Sequence, residues 1–360
     1  MFTGLANAQP DSALADIRLP AGFTIDVYTD QVPDARSLAL GANGTVFVAT
    51  RREGRVYAVV NEGSTWPTVV TIADGLKTPN GIAYRDGALY VAETTRLLRF
   101  PAIDKNLRED ARFEMLYDSF PSERHHGWRY IDFGPDGKLY MSIGAPCNVC
   151  DRDGFGTIVR MQADGSGPEV VAYGVRNSVG FAWHPETGEL WFTDNGRDML
   201  GDDLPPGELN RLRVVGQHFG FPYCHGGEIP DPEFGSGRDC SEFEPPAQKL
   251  GPHVAPLGIL FYQGEMFPEQ YRHQVLIAEH GSWNRSEKIG YRISLVRLAD
   301  SRSTGYEVFA DGWLNNGAVS GRPVDLLEMP DGSVLVSDDQ AGKLYRIRYT
   351  LPLVEPLSAE

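Results

Sequence analysis

The sequence lacks any apolar run approaching about 18 residues, so no transmembrane helix is expected. It also lacks runs of lysine or arginine, and its net charge is −16 over 360 residues. Nucleic acid and anionic membrane surfaces are therefore poor partners. A neutral or cationic small ligand, or a bound cation, remains compatible. Helical periodicity sustained over ten residues is almost absent, which argues against a helical bundle and against strand–helix alternation. Cysteine is scarce, with four in all: Cys147, Cys150, Cys224 and Cys240. The first two have the spacing of a zinc half-site or a redox centre, and His225 lies beside Cys224. A redox motif would open a helix, and no helical pattern follows Cys150. Two structural disulfides, Cys147–Cys150 and Cys224–Cys240, are the preferred reading, and they imply an exported, periplasmic or secreted protein. Leu5-Ala6-Asn7-Ala8-Gln9 resembles the small-residue end of a secretory signal without the apolar stretch before it. Residues 1–18 are accordingly expected to be a signal remnant or a disordered lead, and 353–360 a tail.

What is plentiful is turn chemistry. The 40 glycines and 25 prolines are spread along the chain and do not pool in a low-complexity segment. Six segments repeat one pattern, a short alternating strand, a Gly/Pro/Asp/Asn turn, a second strand, a loop and a third strand. They span Ser37–Val60, Pro79–Phe100, His126–Met161, Arg176–Val214, Val254–Leu298 and Arg322–Arg348. No unit can bury both of its faces alone. Packed radially, six of them close into a single all-β domain, a six-bladed β-propeller with four-stranded antiparallel blades over residues 19–352. An early strand, Gly22–Tyr28, lies outside the six units and would complete the last blade.

One unit carries an unrepeated polar prefix, Arg124-His125-His126-Gly127-Trp128-Arg129, before its strand–turn–strand core. Loops on one face of a propeller carry function. The loops leading into the innermost strands supply Asn80, His126, Arg129, Arg176, Asn177, His253 and Arg322. Converging unpaired arginines on an axis is costly unless an anionic guest neutralises them.

These motifs, in their order, resemble the soluble pyrroloquinoline-quinone (PQQ) sugar dehydrogenases of the aldose, glucose and sorbosone type. The motifs are His126-x-x-Arg129 before Phe133-Gly134-Pro135-Asp136-Gly137; Gly174-Val175-Arg176-Asn177; Asp194-Asn195-Gly196-Arg197 followed by Glu208-Leu209-Asn210; Gly216-Gln217-His218-Phe219-Gly220; Pro252-His253-Val254; Gly281-Ser282-Trp283-Asn284-Arg285; and Arg322 before Pro330-Asp331-Gly332. The resemblance implies a PQQ- and Ca²⁺-dependent oxidoreductase acting on a sugar or alcohol, with an external electron acceptor. His126 matches the catalytic base, and Arg176 with Asn177 the pair at the quinone oxygens. Arg176 is expected to polarise the acceptor oxygen. Gly196 and Arg197 match the backbone carbonyls that hold calcium. Arg129, His253, Arg285 and Arg322 are expected at the cofactor, and Asn80 and His125 at the substrate. Asp194, Asp202, Asp203 and Glu208 are candidates for a second calcium or an ordinary acidic loop. The remaining histidines, His184, His218, His225, His273 and His280, read as structural. The chain departs from glucose-type members in carrying His125 for an aspartate, Ser320 for an arginine, and shorter loops around blades four and five. Two other readings stay open, a calcium-dependent propeller lactonase or esterase and a non-catalytic binding propeller.

Overall fold

The computed structural model describes residues 14–61, 63, 66–107 and 111–350. The signal-like Leu5–Gln9 and the tail 353–360 lie outside the described residues. Six four-stranded antiparallel sheets surround one axis, as the repeats imply. The first strands of blades 1 to 6 are Ala35–Leu40, Gly81–Arg85, Ile131–Phe133, Phe181–Trp183, Pro256–Phe261 and Pro323–Glu328. The second strands are Val46–Thr50, Ala88–Ala92, Leu139–Ile143, Leu190–Asp194, Val275–Glu279 and Val334–Asp338. Blade 6 takes its outermost strand from the start of the fold, where Phe23–Thr29 pairs antiparallel with Lys343–Tyr349. Chain ends therefore close the ring through a sheet. Among the described residues, helix is limited to three-residue 3₁₀ turns, and no helix is long and apolar enough to cross a membrane.

The second strand of each blade buries both faces, because each blade is sandwiched between two others. Period-two alternation sends successive residues to opposite neighbours. In blade 1, Phe47 and Ala49 pack with Ile82, Leu89 and Val91 of blade 2. Val46 and Val48, one residue out of step, pack with Leu335 and Leu344 of blade 6. Similar apolar layers fill the other blade junctions. The layer between blades 5 and 6 also covers Leu14, Ile17 and Leu19, and Arg18 pairs with Asp311. The leading segment is thus packed from residue 14 onward.

Blade 4 carries the long insertion, residues 213–247, between its last two strands. Gln217–His218 adds a parallel edge to blade 3 at Ala172 and Tyr173, so the insertion fastens the two blades together. Cys224 and Cys240 are disulfide-bonded within it, and Cys147 and Cys150 are bonded beside the axis. This removes the zinc reading, and His225 instead bonds Asp231 at 2.8 Å.

Candidate active site

The loops before the first strand of each blade and after the second strand meet on one face of the ring. They enclose a cavity of ≈ 270 Å³ whose walls include His126, Arg176, Asn177, His253 and Arg322.

His126 sits on the loop between blades 2 and 3 with φ +48, a left-handed conformation that few residues adopt. Its approach to the next strand needs Gly144, because a Cβ there would lie 2.6 Å from the His126 Cβ. Nδ1 lies 2.9 Å from the Ala145 carbonyl oxygen. A carbonyl only accepts, so Nδ1 carries the proton and Nε2 keeps its lone pair. The ring is 8 % exposed. Burial, then the charge of Arg176, then His125, push its pKa well below 6.5. The imidazole is therefore held neutral and basic at Nε2.

Arg176 is buried against the same wall, and its five N–H groups are committed. Nε donates to the Asn148 carbonyl, Nη1 to the carbonyls of Asn195 and Gly196, and Nη2 to Asn148 Oδ1 and Asp198. Its backbone N–H and that of Asn177 donate to Asp194, at 2.8 and 2.6 Å. Asp194 is buried and faces Glu208 across the strand pair, and burial reinforced by Glu208 pushes its pKa up to about 8. The Asn177 side-chain amide nitrogen makes no hydrogen bond within the described residues.

The arrangement corrects several expectations. Arg176 has no donor left to polarise an acceptor oxygen, so it acts on the site through its charge. Gly196 O, expected to hold calcium, accepts from Arg176 Nη1 at 2.9 Å. The Arg197 side chain turns away to Asp231 and Glu233. Among the described residues no three His, Cys, Asp or Glu side chains converge as a metal site. Of the four acids suggested for a second calcium, Asp194 and Glu208 face each other and Asp202 and Asp203 lie elsewhere. Glu208 binds Gly226 N and Asn210, whereas Asp202 accepts from the Ser286 N–H.

Three further residues stand outside the cavity. Arg129 lies beneath His126 and spends its guanidinium on the carbonyls of Thr94, Pro121 and His126, its pKa lowered by burial to about 10. It positions the histidine loop. Asn80 is fully buried, accepting from Arg36 Nε and donating to the Arg129 carbonyl, so it ties blades together behind the cavity wall. Arg285 is held by the Asp202 and Glu287 carbonyls, away from the cavity. Its neighbours Trp283 and Asn284 line the cavity instead, Trp283 being 70 % exposed. His125 is exposed beside the cavity, its ring centroid 4.1 Å from that of His126. His253 lines the wall, with Nε2 bonded to the Gly201 carbonyl at 2.8 Å.

The sequence reading missed Arg36, Arg51, Asn195 and His280, which also line the cavity. Three of them directly follow a second strand, Arg51, Asn195 and His280, and that shared register was the available signal. His280 bonds Asp339, which also pairs with Arg36 at 2.9 Å. Burial pushes the His280 pKa down to about 4.

Charge balance identifies what the cavity lacks. Arg36 is offset by Asp339, Arg176 by Asp198, and Arg197 by Asp231 and Glu233. Asp198 is the only carboxylate among the lining residues. The Arg51 and Arg322 side chains make no ion pair with a carboxylate among the described residues, although Asp339 acts on both at longer range. Arg51 lies over the Trp128 ring at 5.1 Å, its pKa lowered to about 10 by burial and then by Arg36. Arg322 donates Nε and Nη2 to the carbonyls of His280 and Gly281, leaving Nη1 for a guest. The cavity therefore presents two guanidiniums without a direct carboxylate pair, one free amide and one neutral imidazole.

The profile of the glucose/sorbosone dehydrogenase family matches residues 82–346. An uncharacterized protein of Borreliella burgdorferi is 33% identical over 353 residues, 92% of this chain and 91% of that protein. Among solved structures, a calcium structure of a Trichoderma reesei carbohydrate-active enzyme of family AA12 superposes with TM-score 0.82 at 17% identity, covering 93% of this chain and 97% of that one. The holo PQQ domain of pyranose dehydrogenase from Coprinopsis cinerea gives TM-score 0.78 at 18% identity, covering 92% and 97%. At those identities the structures share the propeller fold. The family match covers most of the chain, and the protein belongs to the glucose/sorbosone dehydrogenase family.

Proposed function

We propose that the protein oxidises an aldose sugar at C1 with PQQ as cofactor, outside the cytoplasm, and passes the electrons to an external acceptor. The observation that carries the reading is a neutral His126, its Nε2 lone pair free, on the wall of a cavity with two arginines that make no direct carboxylate ion pair. PQQ is a tricarboxylate, and guanidinium forks match carboxylates. Arg51 and Arg322 would bind two of its carboxylates, and Asn177 would donate to a ring oxygen. When bound, PQQ supplies the two-electron acceptor that takes the hydride from C1 of the sugar.

The chain's own residues do the rest. His126 Nε2 accepts the proton of the C1 hydroxyl as the hydride leaves, so one proton and one hydride account for the oxidation of an anomeric hydroxyl to a lactone. The Ala145 carbonyl holds the tautomer that makes this possible. Arg176 keeps the imidazole neutral before the reaction and sets the loop through Asp194. Arg129 fixes the same loop from below. Trp128 and Trp283 give the cavity aromatic rims on which a sugar ring can lie. Calcium at the Gly196 and Arg197 carbonyls would share the Gly196 oxygen with Arg176 Nη1, which uses one of its two lone pairs. A lactonase would need carboxylate and amide metal ligands on the axis, which a lining with Asp198 as its one carboxylate does not favour.

The test is to load the protein with PQQ, with and without Ca²⁺, and to follow aldose-dependent reduction of an artificial dye. Turnover that requires PQQ is expected. Absence of turnover over a broad sugar panel would sink the reading, and lactone hydrolysis without PQQ would replace it.

A further inference from the structure

A second concavity of ≈ 870 Å³ opens beside the cavity and shares Arg51 and Trp128 with it. Its walls carry four cations, Arg51, Arg52, Lys77 and Arg124, and no acidic residue. None of the four side chains has an ion pair or hydrogen bond among the described residues. On a chain of net charge −16, such a patch runs against the overall field. It is also built. Asp34 accepts the backbone N–H groups of Arg51, Arg52 and Glu53 on one carboxylate oxygen, which fixes the turn that presents both arginines. Glu93, a buried acid, is turned inward to Lys77 N and Arg96, leaving the Lys77 ammonium without an ion pair among the described residues.

The other groups on the walls are those that recognise sugars. Thr78, Thr94 and Thr95 contribute hydroxyls with no hydrogen bond among the described residues. Trp128, with Arg51 over its ring at 5.1 Å, stands at the junction of the two spaces. Cations bind carboxylates, hydroxyls bond ring hydroxyls, and an aromatic face stacks on a pyranose ring.

We propose that this groove binds the acidic rings of a carboxylate-bearing oligosaccharide whose terminal aldose occupies the cavity. The inference rests on the sugar-dehydrogenase reading for the terminal ring, and it extends that reading to the substrate class. A concavity that shares the Arg51 and Trp128 wall with the reaction site, lined by hydroxyls as well as cations, suits a saccharide chain better than the flat face of a protein.

The full chain without cofactor is titrated calorimetrically at low ionic strength with tetragalacturonate, with uncharged maltotetraose and with poly-glutamate. Tetragalacturonate is expected to bind at least tenfold more tightly than maltotetraose and to weaken at least tenfold in 0.5 M salt. The triple variant Arg52→Gln/Lys77→Gln/Arg124→Gln, at exposed positions, is expected to lose at least tenfold in tetragalacturonate affinity with an unchanged melting temperature. Equal affinity for the two saccharides, or full affinity in the variant, overturns the inference. Tighter binding of poly-glutamate than of tetragalacturonate assigns the groove to an acidic protein and overturns it too. The titration needs no PQQ. Tetragalacturonate binding without PQQ-dependent turnover would therefore remove the proposed function and leave the groove assignment standing.

Discussion

His126→Gln is the most informative single substitution. Glutamine can keep a hydrogen bond to the Ala145 carbonyl, but its amide cannot take a proton at neutral pH. Loss of a positioned general base costs roughly 10²–10⁴ in rate, which is about 3–5 kcal/mol in barrier height at 1.36 kcal/mol per tenfold. The environment of the wild-type ring sets the pH profile. An unshifted imidazole is about three-quarters neutral at pH 7. Burial, Arg176 and His125 all favour the neutral form, so the folded-state pKa is depressed and the base is fully available at pH 7. The acid limb of kcat/KM should therefore fall well below pH 6.5, with a plateau through neutrality. The assay is PQQ-loaded dye reduction, with PQQ affinity measured separately by absorbance. The variant should bind PQQ within a few-fold of wild type and lose at least 100-fold in kcat, consistent with the loss of a base. Turnover within tenfold of wild type, or a wild-type acid limb at or above pH 6.5, would refute the role of His126.

Arg51→Gln and Arg322→Gln each remove a guanidinium without a direct carboxylate pair. Each should weaken PQQ binding about tenfold or more, as expected for charge-assisted bonds of about 1.5–3 kcal/mol, measured by the same titration. Cys224→Ala/Cys240→Ala opens a loop with sequence separation 16. Loop entropy puts the loss near 3 kcal/mol, read as a lower urea midpoint with unchanged sheet content. Asp325 in the first strand of blade 6 is buried, and burial raises its carboxyl to about 7 against the backbone N–H groups of Leu38 and Leu326. A raised carboxyl pKa makes stability fall as pH rises from about 4 to about 7 and stay level above that. Asp325→Asn should flatten this slope in denaturation curves taken between pH 4.5 and pH 8, and an unchanged slope would assign the titration elsewhere.

The propeller was legible because alternation in a strand buried on both faces leaves an unbroken apolar signature, and Val46-Phe47-Val48-Ala49 feeds two different blade junctions in four residues. The closing strand was legible as an apolar run belonging to no repeat. The site was half legible. His126, Arg176, Asn177, His253 and Arg322 fall on loops before the innermost strands, where the repeat alignment points directly. Arg51 and His280 follow the second strands, a loop set on the same face that the alignment left unread. Arg129 and Asn80 lie on the loops before the innermost strands, yet their side chains turn from the cavity. Repeat position fixes where a Cα sits, but the claims of buried carbonyls decide where a side chain turns. The Thr94, Pro121 and His126 carbonyls take Arg129 away from the cavity, and Arg36 takes Asn80. Arg285 likewise answers the carbonyls of a loop remote in sequence, a contact that no local motif encodes.

The central claim is that one PQQ occupies the arginine-lined cavity and receives the sugar's electrons there. An anaerobic absorbance titration of the unloaded protein with PQQ, followed in the same cuvette by an aldose, tests both halves together. The account requires saturation at one PQQ per chain and then conversion of the bound quinone to its reduced spectrum in proportion to added sugar. Failure to saturate, or a bound quinone that stays oxidised with every aldose, would contradict it.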